Sequence, residues 1–306
     1  MSPPFGARIP MTDASSSSPR WRESLAVLFR QIGQIHFQRS ALSGLAIVLA
    51  LASVNLWAAI GAVFASAVAL ATAKFARLPR APRYDGLYGY NAALTGAGLL
   101  SFFAPGLEVF GYLGVVSAVT ALVSSRWVAW GRLPALTIQF VLAMWLALAL
   151  GDALGARLSP PGCENGWTSI FCNVGQVTFI SGLWPGLVVL LAFAWHDKHE
   201  ALWLAIGAAF AWLASNVLDA FAPGLRAGEQ LVGLAVNAAL VGQGLTVFGR
   251  GVAVRVAGIV LSVPVCLALG AFAIPYFTLP FNLVTWALLI ASAERKSAPQ
   301  PARHAA

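Results

Sequence analysis

Long apolar stretches alternate with short polar connections along most of the chain. Ten stretches stand out, at 41–54, 56–73, 90–103, 110–123, 133–150, 183–195, 201–214, 231–248, 252–273 and 277–291. Crossing a bilayer as a helix takes roughly 20 apolar residues, and several of these stretches are shorter. Flanking polar residues complete some of them. Others are tilted or share the crossing with a half-length helix. The pattern predicts an all-α membrane protein with ten spans.

The stretches are not independent of one another. Residues 91–99 read NAALTGAGL and residues 237–245 read NAALVGQGL, identical at seven of nine positions with an offset of 146. The segment GQIHF at 33–37 recurs as GQVTF at 175–179, offset by 142. PALTIQF at 134–140 recurs as PYFTLPF at 275–281, offset by 141. Three motifs in one order at nearly one offset mark an internal duplication. Small residues at spacings of three and four are common wherever membrane helices pack closely. Gly96, Gly98, Gly242 and Gly244 therefore say little one by one. The organisation expected is a tail over 1–21, a first repeat over 22–151, a linker over 152–173, a second repeat over 174–293 and a tail over 294–306. The halves of such folds frame one pathway between them.

Composition agrees with a membrane setting. The chain is 59% hydrophobic and 10% charged, against roughly 25% charged in a soluble domain. Its mean hydropathy is +0.77. A net charge of +8 would suit nucleic acid, but in a membrane protein it reflects basic loops, and no nucleic-acid partner is expected. Residues 1–20 carry the run Ser15 to Ser18 and no apolar core, so they read as a tail and not as a secretory signal.

The charges also orient the chain. With ten spans and both termini cytoplasmic, the inner loops and adjoining span ends hold Lys74, Arg77, Arg80, Arg83, Arg126, Arg132, Lys198, Arg250, Arg255, Arg295 and Lys296. The N-terminal region adds Arg8, Arg20, Arg22, Arg30 and Arg39, whereas the outer loops hold Arg157 and Arg226. Lys and Arg gather on the cytoplasmic side of membrane proteins. Five spans per half then invert the second repeat relative to the first.

Candidate chemistry is sparse. Gln34 and Gln176 each precede a long apolar span, in a segment too short to cross by itself. An amide at that depth needs a partner, and a pore-lining role and a helix–helix bond both remain open. Thr137 and Thr278 stand three residues after Pro134 and Pro275. Proline inside a helix frees a backbone carbonyl. The threonines either bond back onto their own helices or join the freed carbonyls as acceptors facing a cavity. Phe37, Tyr90 and Phe179 add flat faces, and Leu94 and Leu240 are equivalent in the duplication. Together they describe a narrow apolar slot with oxygen acceptors along one edge, suited to a flat, neutral solute with several N–H donors.

Other classes fit less well. No HExxH or GxSxG is present, so an enzyme is not expected. Of the histidines, His196 and His199 have ligand-like spacing in HDKH but sit in a polar loop, His36 borders the slot, and His304 lies in the tail. No cofactor or metal is implied. Ion coupling needs ionisable residues at depth, yet Glu108, Asp152, Asp219 and Glu229 all fall near span ends. Cys163 and Cys172 flank a polar segment, where a disulfide and two free thiols are equally open readings, while Cys266 lies in an apolar span.

The motifs resemble those of the urea transporter family. GLYGYNAALTG at 86–96 is similar to that family's signature, and the proline–threonine segments resemble its LPxxTxPF repeat, PYFTLPFN more closely than the first copy. The GQxxF segments match the start of each half, and the likeness covers roughly residues 30–292. The resemblance implies ten transmembrane helices plus two half-spanning pore helices in two inverted repeats of five. It also implies a homotrimer in the bacterial inner membrane, with one pore per subunit and passive, channel-like flux of urea. Gln34, Thr137, Gln176 and Thr278 would line the pore with oxygens, and Phe37, Tyr90, Leu94, Phe179 and Leu240 would shape its slots. Three positions depart from the pattern: Gln139 replaces a proline, Val236 an aromatic residue and Ala235 a glycine. A wider second slot would extend passage to other small amides, ammonia or water.

Overall fold

The computed structural model describes residues 20–160, 162–164, 166–225 and 227–297. Arg226 and most of both expected tails lie outside the described residues. Among the described residues thirteen α-helices follow in order: α1 (Arg20–Gly33), α2 (Ala41–Val54), α3 (Leu56–Phe75), α4 (Arg80–Tyr84), α5 (Tyr90–Phe102), α6 (Leu107–Trp130) and α7 (Ile138–Leu150), then α8 (Ser169–Gln176), α9 (Leu183–His196), α10 (Lys198–Phe221), α11 (Leu231–Val247), α12 (Val252–Ala271) and α13 (Leu279–Ser297). Among the described residues, extended pairing is confined to one antiparallel bridge between Phe103 and Arg157.

Helices α2, α3, α5 and α11 follow the apolar stretches closely. Helices α6 and α10 run past theirs at both ends, because the apolar cores at 110–123 and 201–214 are extended by mixed turns. Helix α8 starts at Ser169, inside the segment expected to be linker, and α1 and α13 reach into the expected tails. By length and apolar character, α3, α6, α10, α12 and the stretch Pro223–Val247 qualify as membrane spans. Trp21–His36 and Ala41–Val54 qualify jointly, bent by 77° at their break. Helices α7, α9 and α13 are apolar but shorter.

Two expected helices do not begin where their apolar stretches begin. The chain is non-helical over 131–137 and 272–278 and turns helical at Ile138 and Leu279. Pro134 and Pro275 therefore lie ahead of helices and not within them; the apolar stretch 133–150 takes in Pro134, whereas Pro275 falls between two stretches. Proline pushes the residue before it into extended backbone, and Leu136 and Phe277 then take left-handed conformations, with φ of 48° and 46°.

Polar residues mark other boundaries. Ser40 Oγ accepts from Ser43 N at the start of α2, and Asn55 Oδ1 accepts from Ala58 N at the start of α3. Asp197 Oδ1 accepts from His199 N and Glu200 N at the start of α10. HDKH is thus a helix cap, the usual work of Asp at this position.

The motif glycines set how closely the helices approach. A Cβ on Gly96 of α5 would collide with the Gly61 carbonyl of α3, and one on Gly61 would collide with the Gly96 carbonyl. In the second copy, Gly207 and Gly242 abut the carbonyls of Ala238 and Trp203 in the same manner. Backbone thus packs directly on backbone at α3/α5 and at α10/α11, as small residues permit in lipid.

Gly96→Ala should lower the stability of the detergent-solubilised protein by about 1–3 kcal/mol through overpacking. Gly111→Ala, where an added Cβ meets nothing within 4 Å, should stay within about 0.5 kcal/mol of the parent. Thermal unfolding of the two variants side by side checks this.

Candidate functional site

The first N–H groups of a helix have no partner within it, and inside an apolar bundle water does not supply one. Helices α7 and α13 both start in such a place. Asn91 Oδ1 accepts from Phe140 N at 3.2 Å, and its Nδ2 donates to the Leu136 carbonyl at 2.9 Å. Asn237 repeats the arrangement, accepting from Phe281 N at 2.9 Å and donating to the Phe277 carbonyl at 2.8 Å. Asn282 bridges the two starts: Oδ1 accepts from Thr137 N at 3.0 Å, and Nδ2 donates to Thr137 Oγ1 at 3.0 Å and to the Thr278 carbonyl at 2.7 Å.

The two broken segments also exchange indoles. Trp145 Nε1 donates to the Pro275 carbonyl at 2.7 Å, and Trp286 Nε1 donates to the Pro134 carbonyl at 2.8 Å. The carbonyls of Pro134, Leu136, Pro275 and Phe277 therefore all have partners. The row of freed carbonyls, one of the two readings left open by the prolines, is thus engaged by side-chain donors. The hydroxyls differ. Thr137 Oγ1 and Thr278 Oγ1 bond each other at 2.7 Å and do not turn back onto their own helices.

A cavity of about 750 Å³ opens beside this junction, lined by Phe102, Phe140, Gln176, Phe179, Val236, Phe277 and Thr278 among others. Four phenylalanines cluster in its wall. Phe102 meets Phe179 and Phe277 edge to face at 5.9 and 5.8 Å, and Phe140 meets Phe277 and Phe179 at 5.6 and 6.1 Å. Arg157 to Pro160 and Gly162 add to the lining, and Arg157 is the charged member of the set. This strand of loop is pinned by the Leu158 N to Phe102 carbonyl bond and by a disulfide between Cys163 and Cys172 of α8. The cysteine pair is thus bonded, and Cys266 is buried and free.

A related cluster forms around the other copy of the GQxxF motif. Phe37 packs edge to face on Phe248 at 6.0 Å and on Phe281 at 6.3 Å. Phe37 and Phe179 both have left-handed backbones, with φ of 58° and 61°. Each is half-exposed between buried neighbours. Gly98 leaves room for the rings of Phe140 and Phe179, and Gly244 leaves room for Phe281 and Phe37.

The expected site residues therefore fall into groups. Gln176, Phe179 and Thr278 line the cavity, and Thr137 joins it through Thr278. Phe37 belongs to the second cluster, and the Tyr90 hydroxyl donates to the Leu136 carbonyl at 2.7 Å. Gln34 donates through Nε2 to the Asp85 carbonyl at 2.8 Å. Leu94 and Leu240 are wholly buried and do not line the cavity. Of the departures, Val236 lines the cavity at the position equivalent to Tyr90, and Gln139 accepts a bond from Ser124 in α6.

Sequence reasoning missed Asn91, Asn237 and Asn282 as members of the site. The signal was available for two of them: an amide opens each copy of the nonamer in mid-span, where it needs a partner. Phe102, Phe140 and Phe277 gave no such signal, since aromatic residues are common packing in lipid.

A family model described as UT: Urea transporter matches residues 25–293. No curated protein matches the chain.

Asn237→Leu strands the Phe281 N–H and the Phe277 carbonyl, at about 1–3 kcal/mol for each buried orphan. Its unfolding midpoint should drop well below that of Asn216→Leu, whose residue is exposed and bonds within its own helix turn. Equal midpoints would contradict the capping role.

Proposed function

The chain belongs to the urea transporter family, and from that premise we propose that it conducts urea passively through a pore at the junction of two inverted repeats. In this reading α1 and α8 are half-spanning helices and the remaining long helices supply ten spans. Both termini face the cytoplasm across a bacterial inner membrane, and three copies assemble, each with its own pore. Eight residues of α8 reach only about 12 Å, well short of a hydrocarbon core about 30 Å thick.

One observation carries the proposal: equivalent contacts are exchanged between the halves around a shared threonine pair. Phe37 of the first half packs on Phe248 and Phe281 of the second, while Phe179 of the second packs on Phe102 and Phe140 of the first. The same holds for the two tryptophan–proline bonds. A two-fold relation between repeats generates such reciprocity, and Thr137 and Thr278 meet where its axis would pass.

The chemistry follows from the lining. Urea is flat, neutral and rich in N–H donors. Phenylalanine walls admit its plane but offer an ion no replacement for its water. A hydroxyl both donates and accepts. The two threonines therefore satisfy each other when the site is empty and can turn to a passing amide without leaving a buried oxygen unpaired. Tyr90 narrows one slot, and Val236 leaves the other wider, so amides somewhat larger than urea should enter from the Val236 side.

Purified protein in liposomes should raise urea permeability, read by stopped-flow light scattering, with no dependence on proton or sodium gradients. Permeability equal to that of empty liposomes would sink the proposal, and gradient dependence would replace it with coupled transport. Thr278→Val keeps the shape but removes the acceptor. It should cut urea flux roughly two- to tenfold, the equivalent of one hydrogen bond of about 0.5–1.5 kcal/mol.

A further inference from the structure

We propose that Gln243 and Glu200 govern the solute selectivity of the pore by clamping Phe37 in its left-handed conformation. The inference rests on the reading of Phe37 as a pore-slot residue. A positive φ is rare for a bulky side chain, and such a conformation persists only where its surroundings over-determine it. Around Phe37 they do so from both sides. His36, wholly buried, is gripped twice by Gln243: Nε2 donates to the His36 carbonyl at 2.8 Å, and Oε1 lies 3.3 Å from His36 Nδ1. The His36 ring rests on Phe193 at 4.3 Å between centroids. On the other side, Gln38 is also wholly buried and donates through Nε2 to Glu200 Oε2 at 2.6 Å.

Both clamping residues come from the second half of the chain, on α10 and α11. Gly244, next to Gln243, is the glycine that leaves room for the Phe37 ring. The clamp thus ties the end of the first short helix to the elements that wall its slot.

The other copy lacks this device. Phe179 has the same left-handed backbone, but Thr178 Oγ1 bonds locally to the Gly175 carbonyl, and Ile180 is apolar. The residue equivalent to Gln243 is Ala97, so one of the two differences between NAALTGAGL and NAALVGQGL is the clamp itself. Phe37 is held in place, whereas Phe179 has more freedom to turn. The Phe37 slot therefore acts as the size filter, and the Phe179 slot, already widened at Val236, admits.

Urea and N-methylurea permeabilities in the same proteoliposomes test this. Gln243→Ala, Glu200→Ala and the volume-preserving Gln243→Met should each raise the N-methylurea to urea ratio threefold or more. Glu200→Gln keeps an acceptor for Gln38 Nε2 and should retain the parent ratio. A merely structural role would lower both fluxes by one factor. An unchanged ratio in Gln243→Ala and Gln243→Met, with the parent conducting urea, overturns the clamp and leaves the channel standing. A parent no more permeable than empty liposomes overturns both.

Discussion

The backbone amides that start α7 and α13 have no water to bond, and three asparagines bond them instead. The rest of the site depends on that substitution. An apolar bundle tolerates a chain break only where neighbouring side chains take over the freed groups. Asn91 and Asn237 do so symmetrically, Asn282 joins the two breaks, and the tryptophans close the remaining carbonyls. With the backbone satisfied, the hydroxyls of Thr137 and Thr278 are left to meet each other, and through Thr278 the pair borders a cavity whose lining includes four phenylalanines.

The two halves match in frame and differ in detail. The positions of Phe37, Phe248 and Phe281 correspond to those of Phe179, Phe102 and Phe140, and both sets are in contact. Leu136 stands opposite Phe277, Tyr90 opposite Val236, Val141 opposite Asn282 and Ala97 opposite Gln243. These four differences make the surroundings of the threonine pair unequal in the two halves. A passive channel needs no such asymmetry to conduct, so we attribute it to selectivity.

Much of the frame was legible because hydropathy and duplication act locally. The stretch 41–54 is α2 from end to end, and the matched motifs fall on matched elements. Hydropathy could not show where α7 and α13 start, since Leu133, Ala135 and Leu136 ahead of α7 and Phe277 ahead of α13 would suit a helix equally well. Proline was the clue, and its effect is to delay the helix, so the freed carbonyls meet tryptophan and asparagine and not the cavity. The left-handed turn at Phe37 has no local signature either, for nothing in phenylalanine favours it. Its neighbours His36 and Gln38 are held by Gln243 and Glu200, more than 160 residues away in sequence, and no local pattern announces those bonds. The Glu200 contact with Gln38 needs the folded chain, since 162 residues separate the two. The disulfide likewise depended on α8 placing Cys172 beside the loop.

The central claim is one passage with Phe37 and Phe179 on opposite sides of the threonine pair. Single cysteines at Phe37 and at Phe179, in protein whose three native cysteines are replaced by alanine, report it directly. Sealed vesicles of known orientation are treated with a small membrane-impermeant thiol reagent on one side at a time. The account predicts that the two positions react from opposite sides and that urea slows both reactions. Labelling of both cysteines from the same side, or rates indifferent to urea, would contradict it.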